Sequence, residues 1–173
     1  AEAYRAGLRC NGDWRGRKHS IYQGGFRVPF LARWPGRVQA ASVCDDTISL
    51  VDLYATIAAV IGQPTLANEA VAEDSINVLP SVLGAASPEP LRVSMINHSP
   101  NGNFSIRQGP WKYIEGKASP SLSKVSRKEE LGAQLYNLQG DPSEQKNVLN
   151  TNPEVAKRLA GLLQSQRKSG RSR

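Results

Sequence analysis

Glycine and proline, 15 and 11 of them in 173 residues, cut this chain into short elements with long loops between them. The longest apolar run, residues 55–61, falls far short of the roughly 18 residues needed to cross a bilayer, so no membrane span is expected. With 39% hydrophobic and 21% charged residues the mixture is that of a globular protein. A chain of this length buries a core without disulfides or a structural metal. Cys10 and Cys44 allow one disulfide at most and do not fix the redox compartment. The first residue is Ala1 and the only methionine is Met95, so the chain is expected to follow a removed leader or to begin partway through a longer protein.

Charge is distributed unevenly. Residues 1–37 carry eight basic side chains against Glu2 and Asp13, a balance of +6, and residues 157–173 carry six basic side chains with no acid. The middle, 38–156, is then −5 within a net +7. A uniformly basic nucleic-acid binder is excluded by that pattern, and no nucleic-acid partner is expected. The second basic block reads as a helix end and tail. Asn152 at the N-cap and Pro153 at N1 start the helix, Val155, Leu159, Leu162 and Leu163 share a face, and the late Lys and Arg favour the negative end of the helix dipole.

Elsewhere the periodicity predicts a buried strand over 26–34, ended by Pro35-Gly36, with Pro29 placing its first residues at an edge. A helix is predicted over 48–61, with Leu50, Leu53, Tyr54, Ile57, Ala58 and Ile61 on its apolar face, a cap among Asp45, Asp46 and Thr47, and Gly62 at its stop. The adjacent Asp45-Asp46 pair reads as a cap rather than a metal pair. A shorter helical turn is predicted within 75–83. Short runs at 91–96, 104–107, 111–114 and 134–138, punctuated by Gly102, Gly109-Pro110 and Gly140-Asp141-Pro142, predict an antiparallel sheet. Residues 116–132 lack periodicity and read as a mobile loop. The change of pattern near Pro90 divides the chain into an α/β part, 1–90, and an antiparallel β part with a terminal helix and basic tail, 91–173.

No GxGxxG, P-loop, nucleophile elbow or paired-Cys zinc spacing is present, and His19 and His98 stand apart without an evident metal cluster. No metal-ligating residue is assigned to the chain. The specific signal is the segment Arg15-Gly16-Arg17-Lys18-His19-Ser20-Ile21-Tyr22-Gln23-Gly24-Gly25-Phe26-Arg27-Val28-Pro29, a cationic loop leading through two glycines. Paired glycines permit positive φ and close backbone approach. A lysine on such a loop is a compact cation suited to a tetrahedral oxyanion. On composition alone a surface loop with solvated arginines is the favoured reading.

That segment, continued by Phe30-Leu31-Ala32-Arg33-Trp34-Pro35-Gly36, resembles the sulfatase pattern L-R-G-x-K-x-x-x-x-E-G-G-x-R-V-P-x-x-x-R-W-P-G. Ser49-Leu50-Val51-Asp52-Leu53-Tyr54-Ala55-Thr56 is similar to the family's S-x-x-D-L-x-P-T helix, and Asp74-Ser75-Ile76-Asn77-Val78-Leu79-Pro80 to its D-G-x-S-L-L-P. Ile106-Arg107-Gln108-Gly109-Pro110-Trp111-Lys112 and Leu135-Tyr136-Asn137-Leu138-Gln139-Gly140-Asp141-Pro142-Ser143-Glu144 match two later motifs in the family's order. The likeness is greatest to arylsulfatase-A-type enzymes.

The resemblance implies the C-terminal part of an alkaline-phosphatase-like α/β/α fold, joined to a small antiparallel-sheet subdomain with a C-terminal helix. It implies a sulfuric ester hydrolase acting on aryl or carbohydrate sulfate esters, periplasmic or secreted. By match, Lys18 is the catalytic, sulfate-contacting lysine, and Arg17, His19 and His98 join it as substrate contacts. In the family a Cys in Cys-x-Pro-Ser-Arg becomes formylglycine and a divalent cation, usually Ca2+, holds the sulfate. Neither Cys10 nor Cys44 fits that motif, and the metal residues normally lie upstream, so both groups are expected outside this chain and the chain alone is expected to be inactive. Gln23 stands where the family has Glu, and Ala55 where it has Pro. Two other readings of the residues stand beside it: a phosphoesterase or phosphonate hydrolase of the same superfamily, and a non-catalytic module binding sulfated glycans through Arg15, Arg17 and Lys18.

Overall fold

Short runs rich in aromatic and β-branched residues, broken by tight turns, produce a four-stranded sheet in the order β1-β2-β3-β4, with β1 Ser94–His98, β2 Phe104–Gln108, β3 Trp111–Ile114 and β4 Gln134–Asn137. All four predicted strands are present, shifted by a few residues at most. The computed structural model describes residues 5–64, 70–85, 87–116 and 132–172; the loop predicted over 116–132 lies almost wholly outside them. The class is mixed α/β. β2 and β3 pair antiparallel, with Gln108 opposite Trp111, so Gly109-Pro110 closes the hairpin; Gly109 takes φ +54, the left-handed position such a turn requires. β3 and β4 pair antiparallel, with Tyr113 opposite Leu135.

Two compact units share the chain. One comprises Ala1–Val28 and Ile96–Ser165, the other Pro29–Met95 and Gln166–Arg173, so the chain passes between them at three points.

In the first unit the register sorts the sheet's two faces. Ile106 and Leu135 point to one side and bury Ala156, Leu159 and Leu163 of the helix Pro153–Ser169, with Ile96, Tyr113, Val155 and Leu162 around them. That helix matches its sequence expectation except at its cap. The Asn152 side chain donates back to Val148 O (3.2 Å) and to Thr151 Oγ1 (3.0 Å), instead of accepting from the helix amides. On the opposite face Ile114 and Tyr136 pack with Ile21 and Tyr22, so the segment before Phe26 covers this side of the sheet.

In the second unit a 3-10 turn, Leu50–Asp52, runs into the helix α1, Leu53–Val60, and a short helix α2 spans Leu79–Val82. α1 buries a different face from the one its apolar spacing predicts. Of the predicted face only Ala58 is buried and Leu53 half-buried; Leu50, Tyr54, Ile57 and Ile61 are exposed, and Asp52, Ala55 and Thr56 are buried instead. The cause is a buried polar hub. Asp52 accepts from Ser49 N (2.8 Å) and Ile76 N (3.0 Å) and pairs with the Arg92 guanidinium, whose Nε donates at 2.9 Å. Thr56 Oγ1 donates to Asp52 O (2.7 Å) and accepts from Val78 N (3.0 Å). Once Asp52 and Thr56 are fixed inward, residues one turn away follow them. The helix start is therefore held by Ser49 and Asp52, and of the three predicted caps Asp46 instead accepts a hydrogen bond from Ser81 Oγ.

Residues 26–34 form no strand. Val28, Phe30, Leu31 and Trp34 are all exposed, Leu31 at 94%. Pro29 removes a donor, and the backbone amides bonded nearby close turns, Arg27 N onto Gln23 O and Arg37 N onto Trp34 O. A strand exists only where a neighbour meets its amides and carbonyls, and among the described residues none does.

These packings make opposite predictions for two similar residues. Leu159→Ala, in a fully buried position, lowers unfolding free energy by about 2–5 kcal/mol, whereas exposed Ile57→Ala stays within about 0.5 kcal/mol. Urea denaturation followed by circular dichroism checks both; a comparable loss at Ile57 would contradict the inverted face of α1.

Candidate functional site

The cationic loop closes on itself through glycine. Gly16 sits at φ +83, where a Cβ would lie 2.0 Å from Ser20 Oγ. At Gly24 a Cβ would lie 2.5 Å from Gly16 O, and at Gly25 2.1 Å from Ser20 O. Both distances are below any real Cβ contact, so the paired glycines are required for close approach. Neither takes a positive φ, contrary to one of the two roles expected of them. Gly24 N donates to Arg15 O (2.7 Å), Ser20 N to Arg17 O (2.8 Å), and Asn11 Nδ2 ties Gly24 O (2.9 Å) to Gly16 O (3.2 Å).

Beneath the loop lies a buried carboxylate. Glu144 is 0% exposed. Its Oε2 accepts from Gln23 N (2.6 Å), and its Oε1 pairs with Lys112 Nζ (2.6 Å). Lys112 Nζ also donates to Ile21 O at 2.8 Å. Arg15 Nη1 donates to Glu144 O (2.8 Å) and to Tyr136 Oη (2.9 Å), with its guanidinium 3.8 Å from the centre of the Tyr22 ring. Gln134 Oε1 accepts from both Tyr22 Oη (3.0 Å) and Tyr136 Oη (2.6 Å). Burial holds the Lys112 ammonium below the ordinary lysine range, against the opposing pull of Glu144, and nearby Arg107 and Arg15 lower it further.

The network leaves the tip of the loop outward. Arg17, Lys18 and His19 are exposed on consecutive positions, and His19 adopts φ +78, rare for a residue with a side chain. His98 is exposed at the end of β1. Its ring lies 5.5 Å from that of Phe104 and its Nδ1 3.3 Å from Ser99 O, with no described contact to the loop. The structure thus groups Arg17, Lys18 and His19 and leaves His98 on a separate strand end. Lys112, Glu144, Tyr136 and Gln134 carry the site's architecture and were not singled out by sequence. Three of them lie inside the later motifs quoted above, and a lysine inside a short apolar strand was their available signal.

Cys10 and Cys44 are free, exposed thiols. Among the described residues no three His, Cys, Asp or Glu side chains assemble as metal ligands, and Glu144, beneath the loop, is committed to Lys112 and Gln23. The residues present do not fit the divalent cation, and no step is assigned to it here.

No family model matches the chain. It is 37% identical over 158 residues to N-acetylgalactosamine-6-O-sulfatase of Bacteroides thetaiotaomicron, a match covering 89% of this chain and 30% of that protein. The chain belongs to the sulfatase family. Human arylsulfatase A is 32% identical over 173 aligned positions, covering 88% of this chain and 33% of the enzyme. A solved structure from work on glycosaminoglycan metabolism by B. thetaiotaomicron, BT33336S-sulf, superposes with a TM-score of 0.77 at 36% identity, covering 89% of this chain and 32% of its own. The chain thus spans about a third of the length of the sulfatases it matches. Its four-stranded antiparallel sheet and C-terminal helix are the corresponding part of the sulfatase fold.

Two sulfatase motifs, W-K and L-Y-N-L…D-P-S-E, meet in the Lys112–Glu144 pair. Glu144→Gln leaves Lys112 buried without its counter-charge and costs about 3–5 kcal/mol. Lys112→Met combined with Glu144→Gln costs less than the sum of the two single changes, because no unpaired charge then remains. A double-mutant cycle by chemical denaturation reads this; additive losses would show that the two side chains do not depend on each other.

Proposed function

We propose that this chain supplies the sulfate-contacting lysine and the C-terminal region of an enzyme that hydrolyses carbohydrate sulfate esters. The observation that carries the reading is the stapled loop. Its glycines and the Glu144 network fix the backbone from Arg15 to Gln23, so the Lys18 ammonium is displayed from a rigid base in a chain similar to an N-acetylgalactosamine-6-O-sulfatase. A cation preplaced where negative charge grows on sulfate oxygens stabilises the transition state without reorganising. Arg17 and His19 flank it as further oxyanion donors, and His98 is a separate substrate contact.

The formylglycine nucleophile and the calcium ion belong, in this proposal, to the part of the longer enzyme that corresponds to the rest of the relatives' length. The exposed apolar residues of 28–34 and of α1 are the surface that part would cover. Sulfate release by the chain alone is accordingly not expected. Periplasmic or secreted placement goes with the same reading; among the described residues no helix is long and apolar enough to cross a membrane.

In the longer enzyme, Lys18→Ala slows sulfate release from N-acetylgalactosamine 6-sulfate by roughly 10²–10³-fold, the typical cost of deleting one such donor. Thermal unfolding changes little, since Lys18 is exposed. Steady-state kinetics beside a melting curve tests it, and turnover at the unsubstituted rate removes Lys18 from the reaction.

A further inference from the structure

A lysine on a loop meets an oxyanion at one place only if the loop keeps one shape. Part of that shape comes from the Glu144 network, which takes Gln23 N and the Arg15 guanidinium. A second tie comes from one side-chain amide. Asn11 Nδ2 donates to Gly24 O (2.9 Å) and to Gly16 O (3.2 Å), so a single nitrogen closes the segment 16–24, and Lys18 lies within it. Both partners are carbonyls, and only the NH2 end of the carboxamide can serve them.

The two limbs joined in this way are in close contact. A Cβ on Gly24 would lie 2.5 Å from Gly16 O. Carbonyl oxygens gathered on one nitrogen repel each other once that donor is taken away, so its loss opens the loop as well as breaking two bonds. Asn11 also has a fixed base. Its own carbonyl accepts from Trp14 N (3.2 Å), and Gly12, at φ +54, donates from N to Arg9 O (2.9 Å). The Trp14 ring lies 4.0 Å from the guanidinium of Arg27, which belongs to the limb beyond Gly25. Unlike Glu144, Asn11 is half-buried and stands outside the apolar clusters, so the clamp can be removed without emptying a core.

We propose that Asn11 is a positioning residue for Lys18: its carboxamide closes the loop and so sets where the ammonium meets an oxyanion. Both amide hydrogens are engaged within the protein, so Asn11 acts through the loop and not on the substrate. The role rests on the sulfatase reading of Lys18 given above.

Two measurements test it. In the 173-residue chain, Asn11→Ala is expected to speed amide hydrogen exchange at Ser20 and Gly24, which donate to Arg17 O and Arg15 O, by about tenfold, while strands β3 and β4 keep their rates. In the longer enzyme the same variant slows sulfate release by roughly ten- to a hundredfold through kcat, as a misplaced reacting group does. Asn11→Asp has the same shape and, when ionised, no donor; it is expected to match that loss and keeps the test valid if Asn11→Ala folds poorly. The double variant separates positioning from a merely structural role. With Lys18 already changed to alanine, adding Asn11→Ala is expected to slow turnover by less than about twofold. Unchanged exchange at Ser20 and Gly24, normal turnover in either Asn11 variant, or losses that multiply in the double variant would overturn the role and leave Lys18 in the reaction. An ineffective Lys18→Ala removes both.

Discussion

A carboxylate removed entirely from water is the fixed point of this structure. Glu144 faces Lys112, the Gln23 amide and, through its backbone carbonyl, Arg15. At 2.6 Å the Lys112–Glu144 attraction is about 6 kcal/mol for an effective dielectric near 20, while taking each ion out of water costs several kcal/mol. The pair therefore contributes little net stability by itself. What it contributes is position: an ammonium and a carboxylate that must find these partners, and no others, define where the chain from Arg15 to Gln23 lies on the sheet. The glycine contacts then decide the shape of the loop above. A methyl group at Gly25 would collide with Ser20 O, so the backbone can be drawn down onto the carboxylate only where the side chain is a hydrogen.

The same device recurs in the second unit. Asp52 is also 0% exposed, paired with an arginine and capped by two backbone amides. Both hubs use a short-range acid to gather segments distant in sequence: Gln23 with Lys112 and Glu144, and Ser49 with Ile76 and Arg92. Buried charge in this chain specifies which segments meet, and the apolar clusters around Leu159 and Ile114 supply the burial that keeps water away.

This division explains what could be read from the sequence. β2, β3 and β4 were legible because short aromatic and β-branched runs and the Gly109-Pro110 turn are local signals. The terminal helix was legible for the same reason, from Pro153 and the Leu159–Leu163 spacing. The face of α1 was not, since its period counts Leu50, Tyr54 and Ile57 as inward, and only knowledge of Arg92, some forty positions later, turns Asp52 inward instead. The strand read over 26–34 failed likewise, because its apolar residues describe a burial that needs partners beyond the described residues. At the site, the motif named Lys18, but the groups that hold its loop are three strand residues and a turn glutamate whose burial no local pattern announces.

The exposure of Lys18 follows from the same electrostatics. An ammonium is strongly hydrated, and Lys112 shows what burying one requires here: a carboxylate at 2.6 Å and a backbone carbonyl at 2.8 Å. Had Lys18 been given such partners, its charge would be spent within the protein and an incoming oxyanion would have to displace them. Exposed at the tip of the loop, its ammonium is placed, in the proposed function, to meet an oxyanion arriving from solvent. In that proposal the cost of ordering the lysine side chain falls when the anion binds, and a charge-assisted hydrogen bond is formed in return.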